Sequence, residues 1–167
     1  MPGHIRELLS SRANSHFRLA VLRALSGEYI LPKLVLNMTF FIQSLNTRLY
    51  AEVHESKKEP GTAVVMGRFT GLKNQQWSYR RTMIESALNG LVMDIEKGGQ
   101  RIVMAKPTEE ATQKWFFDDD CTVRNRVEHK VLDVPKTARD NGAAVEVHEK
   151  DKDRESQKFR IQPTNEL

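Results

Sequence analysis

An all-β body of three four-stranded units, each of about 40 residues and preceded as a set by a helical extension, is the fold class this sequence predicts. Three observations carry it. A glutamine stands two residues before a large aromatic three times, in Gln75-Gln76-Trp77, Gln113-Lys114-Trp115 and Gln157-Lys158-Phe159, at intervals of 113 − 75 = 38 and 157 − 113 = 44 residues. Each motif closes a matching set of short segments rich in β-branched residues. Turn residues divide those segments, among them Pro60-Gly61, Asn89-Gly90, Gly98-Gly99, Asn141-Gly142 and Asp118-Asp119-Asp120. That is the punctuation of strands and hairpins, not of helices.

In chain order the first element is the extension. Over residues 3–26, Ile5, Leu8, Leu9, Ala13, His16, Phe17, Ala20, Val21, Ala24 and Leu25 recur at three- and four-residue steps, with Gly27 placed to end the helix. Arg6, Arg12, Arg18 and Arg23 spread over the other positions. Three readings of this segment stand side by side: a helix that packs on the body or on a protein partner, an arginine- and serine-rich targeting presequence of the mitochondrial kind, or a helix lying on a membrane surface. Residues 1–37 are therefore set apart as helix and linker.

The first unit, about 38–80, opens with Phe41 to Thr47 and Leu49 to Val53. The second, about 81–119, matches it with Met83 to Gly90 and Leu91 to Ile95. The third, about 120–162, does so with Thr122 to His129 and Lys130 to Val134. A further segment follows in each, Ala63 to Arg68, Arg101 to Lys106 and Ala143 to Glu149, and the aromatic motif supplies the fourth. Residues 163–167 form a tail. One such unit cannot bury its own apolar face, whereas three can close into a barrel capped by hairpins that leaves no free sheet edge. The recurring apolar positions give the expected core: Ile42, Val53, Val65 and Trp77; Ile84, Ile95, Val103 and Trp115; Val123, Val134, Val145 and Phe159.

With these motifs in register, the chain resembles the ricin B-type lectins, β-trefoil domains with a threefold Gln-x-Trp repeat, over roughly residues 38–162. The resemblance implies non-catalytic binding of a carbohydrate or glycoconjugate of galactose type, with no cofactor. It also implies a site in each unit: an acid at the end of the second strand for adjacent sugar hydroxyls, a ring on the third strand for the apolar sugar face, and the Asn-Gln of the motif. A carboxylate makes short charge-assisted bonds to hydroxyls, and a flat ring shields the C–H face of the sugar.

Carried over residue by residue, the resemblance gives the first unit Glu52, Asn74 and Gln75, with Gly67 where the ring belongs and Phe69 two residues on. It gives the second unit Asp94 and Gln113, with Ala105 at the ring position and Thr112 for the asparagine. It gives the third Asp133, His148, Ser156 and Gln157. The third unit, which keeps both an aspartate and a ring, is expected to bind best, the first next, and the second to be mainly structural. The acids also have a plainer reading, as ties for turn amides, and His148 as a surface histidine. A β-trefoil scaffold that binds protein or an anionic lipid surface, its sugar sites lost, is the alternative function.

Composition narrows the partners. Of the formal +4, residues 1–38 carry five bases against two acids, or +3, which leaves +1 for the rest. No basic stripe interleaved with aromatics exists, so no nucleic-acid partner is expected. No run of 18 apolar residues exists, so no transmembrane segment is expected. The single cysteine, Cys121, excludes an internal disulfide and, with no secretory signal in view, favours a reducing intracellular compartment such as the cytoplasm. Cys121 reads as a small turn residue. Asp151, Asp153 and Glu155 read as a solvated loop and not a cation site, and no metal site is expected.

Overall fold

A computed structural model describes residues 38–127, 130–135 and 140–166; the expected N-terminal helix and the Glu128-His129 pair lie outside the described residues. The strands follow the repeat. The first unit holds β1 (Phe40–Ser44), β2 (Tyr50–Val53), β3 (Val64–Gly67) and β4 (Trp77–Arg80). The second holds β5 (Met83–Ser86), β6 (Val92–Ile95), β7 (Ile102–Ala105) and β8 (Trp115–Phe117). The third holds β9 (Val123–Asn125), β10 (Lys130–Asp133), a third strand split into β11 (Ala143–Ala144) and β12 (Glu146–Glu149), and β13 (Phe159–Pro163).

The first and last strands of the units build a barrel. β13 returns along β1 from Phe40↔Pro163 to Ser44↔Phe159, β4 pairs β5 from Trp77↔Ser86 to Arg80↔Met83, and β8 pairs β9 from Trp115↔Asn125 to Phe117↔Val123. Within each unit the fourth strand meets the first at one point: Phe40↔Trp77, Trp115 N to Thr82 O at 2.7 Å, and Phe159 N to Cys121 O at 2.8 Å. Thr82 and Cys121 occupy this equivalent position with φ of 63° and 67°. Cys121 is thus a turn residue whose carbonyl closes the barrel, and burial pushes its thiol pKa up.

The hairpins β2–β3, β6–β7 and β10–β12 cap one end of the barrel. Backbone bonds join them in a ring: Met104 N to Thr62 O at 2.8 Å, Val145 N to Val64 O at 3.0 Å, and Val147 N to Gln100 O at 2.8 Å. Trp77, Trp115 and Phe159 are all buried in one continuous core. The two indoles each donate to the carbonyl that precedes their unit's acid, Ala51 and Met93, both at 3.1 Å. The motif aromatic therefore sets the depth of the acid as well as filling the core.

The third strand departs from the expected core. Val64, Met66, Ile102 and Met104 point inward, and Val65 and Val103 take the other face. Val145 and Val147 point inward as expected of Val145. The runs Ala63-Val64-Val65-Met66 and Ile102-Val103-Met104-Ala105 are apolar throughout, so period-two alternation carries no phase there.

Candidate functional site

Each motif glutamine is buried and fully engaged, and it makes the same bonds three times. Gln75 Nε2 donates to Arg68 O and to Glu52 Oε2, both at 2.7 Å. Gln113 Nε2 donates to Lys106 O at 3.0 Å and Asp94 Oδ2 at 2.9 Å. Gln157 Nε2 donates to Glu149 O at 2.9 Å and Asp133 Oδ2 at 3.1 Å. The Oε1 atoms accept the amides of Thr70, Thr108 and Asp151 at 2.8, 2.8 and 2.9 Å. A side-chain amide has two N–H donors. One pins the end of the third strand and the other holds the acid. Glu52, Asp94 and Asp133 are thus gathered beside their own glutamines, on the outer side of the hairpin caps, and none ties a turn amide.

What surrounds the held acid differs from unit to unit. In the first, Glu52 lies back over Gly67, so close that a Cβ at Gly67 would collide with its carboxylate. The extra methylene of glutamate thus fills the ring position itself. Phe69 does not cover Glu52's site; it packs on Phe41 and Tyr50 at centroid distances of 5.1 and 4.9 Å. Asn74 is buried and its Oδ1 has no hydrogen-bond partner.

In the second unit the acid lies at a cavity of about 510 Å³ lined by Asp94, Ile95, Val103, Glu110 and Thr112, together with Glu96, Lys97 and Gly61. Gly61 comes from the first unit's hairpin, where φ of +88° suits glycine and its N–H donates to Met104 O at 2.7 Å. Asp94 Oδ2 is held by Gln113, while Oδ1, like its counterpart in the third unit, is buried with no hydrogen-bond partner in the protein. Val103, the cross-strand neighbour of Asp94, supplies the apolar wall, not Ala105. Glu96 is held outward by Arg101 in a forked pair at 2.7 and 2.9 Å.

In the third unit the acid is covered. Asp133 is 2% exposed, and Arg154 Nη1 donates to its Oδ2 at 2.8 Å beside the Gln157 bond. Its Oδ1 and the Ser156 hydroxyl are buried without partners. His148 lies on the same outer face, two residues along from Glu146, which pairs with Asp133 across the strands. Its Nε2 meets Glu146 Oε2 at 2.8 Å. The ring expected for a sugar face is therefore committed to a neighbouring carboxylate.

Sequence reasoning missed Arg154, Glu110 and the outward Val103. A signal for the first two was present. Leu72, Glu110 and Arg154 each stand three residues before the motif glutamine. Their carbonyls accept that glutamine's N–H at 3.0, 3.1 and 3.1 Å, so the three positions are equivalent in backbone. Among the described residues no group of three or more His, Cys, Asp or Glu is arranged to hold a metal, and Asp151 Oδ1 accepts the Asp153 N–H at 3.0 Å. No helix among them is long and apolar enough to cross a membrane.

A threefold barrel with an acid–glutamine pair outside each hairpin defines a β-trefoil of lectin type. The chain belongs to the ricin-type β-trefoil lectin domain family, whose model matches residues 38–159. No curated protein matches the chain. Among solved structures, it is similar to the C-terminal half of an earthworm R-type lectin in complex with GalNAc, at 20% identity and a TM-score of 0.68 over 75% of this chain and 98% of that one. A designed threefold-symmetric protein, ThreeFoil, aligns at 19% identity and a TM-score of 0.69 over 74% and 97%. A ricin B-like lectin of Macrolepiota procera in complex with lactose aligns at 17% and 0.63 over 74% and 94%. At these identities the structural likeness establishes the fold.

Proposed function

We propose that this domain binds carbohydrate without transforming it, that the second unit is its open site, and that a sugar of galactose type is its ligand. One observation carries the reading. Asp94 is fixed by Gln113 through one oxygen, its other oxygen is buried without a protein partner, and the residue lines a cavity large enough for a sugar ring. A buried acceptor without a partner carries a cost, and a sugar hydroxyl that reaches it from the cavity would relieve that cost. Family membership supports the class of ligand. GalNAc and lactose in the two lectin structures above support the galactose type.

Binding is weak in this reading. No aromatic residue is among those lining the cavity, and Val103 and Ile95 offer only an aliphatic wall to the sugar ring. Each missing contact is worth on the order of 1 kcal/mol, which puts a monosaccharide in the millimolar range. The sites of the first and third units are filled by Glu52's own length and by Arg154. Titration with galactose and lactose, followed by the Gln113 side-chain amide in nuclear magnetic resonance spectra, tests the reading. A saturable shift at Gln113 is expected; a blank titration together with a blank glycan array would remove it.

A second reading, a trefoil that binds protein through its loops, rests on one observation: Phe69 and Leu72 are 48% and 61% exposed on the first unit. A protein partner for the N-terminal segment concerns residues outside those described.

A further inference from the structure

The position three residues before each motif glutamine is equivalent in backbone and different in chemistry in all three units. It is Leu72 in the first, Glu110 in the second and Arg154 in the third. Glu110 lines the open cavity beside Asp94. Arg154 reaches the buried Asp133 instead, at 2.8 Å. The glutamine–acid bond itself hardly differs between these two units, at 2.9 and 3.1 Å. The side chain at this position bonds the acid in the third unit and lines a cavity beside it in the second.

We propose that this position is the gate of the acid in the second and third units, and that Arg154 holds the third site shut by standing in for sugar hydroxyls. The inference rests on the carbohydrate reading for what the gate admits, but not for the gate itself. The chemistry is direct. A guanidinium N–H and a sugar hydroxyl are both donors to a carboxylate oxygen, so they compete for the same acceptor. The charged donor wins while it is tethered, because the short turn from Arg154 to Gln157 fixes it beside the acid. Two buried polar atoms, Asp133 Oδ1 and Ser156 Oγ, have no protein partner behind it. Unpaired buried polar atoms carry a cost, and a hydroxyl-rich ligand would relieve it. A glutamate at the same position cannot donate to Asp94, and like charge disfavours its contact with the acid.

Reciprocal exchange in the full chain tests the gate, with the side-chain amides of Gln113 and Gln157 as reporters of the second and third units. Arg154→Ala should bring a galactose-dependent shift at Gln157 that the natural protein lacks, with affinity at that unit raised on the order of tenfold or more. Arg154→Lys should keep the unit closed. Should Arg154→Ala fail to fold, Arg154→Gln removes the charge and keeps a donor for Asp133. Glu110→Arg, a surface change, should close the second unit. Its sugar-free signature is a new, salt-sensitive arginine Nε–H resonance and a displaced Gln113 amide. A folded Arg154→Ala or Arg154→Gln protein with no sugar response at Gln157, or a Glu110→Arg protein whose Gln113 signal is unmoved, would overturn the gate. A natural protein silent at Gln113 but a Glu110→Arg protein with the arginine signature would overturn the carbohydrate reading and leave the gate standing.

Discussion

The second and third units start from the same parts and end in opposite states. Each holds an aspartate at the end of its second strand with a buried glutamine, and each sets a large aromatic two residues further on. Yet Asp94 opens on a cavity of about 510 Å³, and Asp133 lies under an arginine with 2% of its surface exposed. The difference teaches that the repeat fixes where an acid sits but not whether it is available. In the reading proposed above, availability is decided by a loop residue three positions before the glutamine. The first unit makes the same point by another route, because one added methylene folds Glu52 onto Gly67.

The largest expected effects lie in what the two units share. Trp115→Ala should destabilise by about 3–5 kcal/mol, from lost burial and a cavity, and Phe159→Ala by a similar amount. Trp115 also loses its bond to the Met93 carbonyl. Chemical denaturation of both variants is the check. A cost under about 1 kcal/mol for either would show that the two units are not equivalent in the core.

Next comes the gate. Arg154→Ala leaves the buried Asp133 carboxylate without its cation, and the arginine side chain is 35% exposed. The expected loss is about 1–2 kcal/mol, between the values for surface and buried pairs. Glu110→Ala, at the equivalent exposed position, should change stability by less than about 0.5 kcal/mol. Equal thermal melts for the two variants would erase the distinction between the sites.

Two smaller effects depend on pH. Burial pushes the Asp120 carboxyl up, but hydrogen bonds from Lys150 and Thr122 outweigh it and hold Asp120 well below its usual range. The folded value is therefore depressed. Its stabilisation is present above the unfolded value near pH 3.9 and is lost as pH falls below it. Asp120→Asn should flatten the acid limb of the stability curve, which acid-range melts would show. Tyr79, buried between the first and second units with its hydroxyl on the Trp115 carbonyl at 2.7 Å, is raised to about 12 by burial. The unfolded chain releases this proton near pH 10, so stability should fall from about pH 10 to 12. Tyr79→Phe should remove that part of the alkaline loss.

Much of this was legible in the sequence, for reasons that individual residues make plain. The period of Gln75, Gln113 and Gln157 marks the units, and Trp77, Trp115 and Phe159 mark the core, because an aromatic at a repeated place has little else to do. Glu52, Asp94 and Asp133 are found by their place at a strand end. The facing of Val65 and Val103 was not legible, since uniformly apolar runs hide the alternation. The order of the sites proposed here was not legible either. Asp133 with His148 looks the more complete pair, and Asp94 with Ala105 the poorer. Arg154 lies in a run of charges, Lys150 to Glu155, that reads as solvated loop until the turn before Gln157 brings it onto Asp133. The reach of a long side chain across a turn is a tertiary fact, and spacing alone does not state it.

The central claim is that the second unit's acid is available and the third's is not. Titrating one galactose-type sugar into Asp94→Asn and Asp133→Asn, with melts to confirm that both remain folded, tests it most directly. Asparagine keeps the shape and removes the charge that strengthens hydroxyl bonds. The account predicts that Asp94→Asn abolishes binding while Asp133→Asn leaves it within about twofold of the natural protein. Loss of binding in Asp133→Asn with Asp94→Asn unaffected would contradict it.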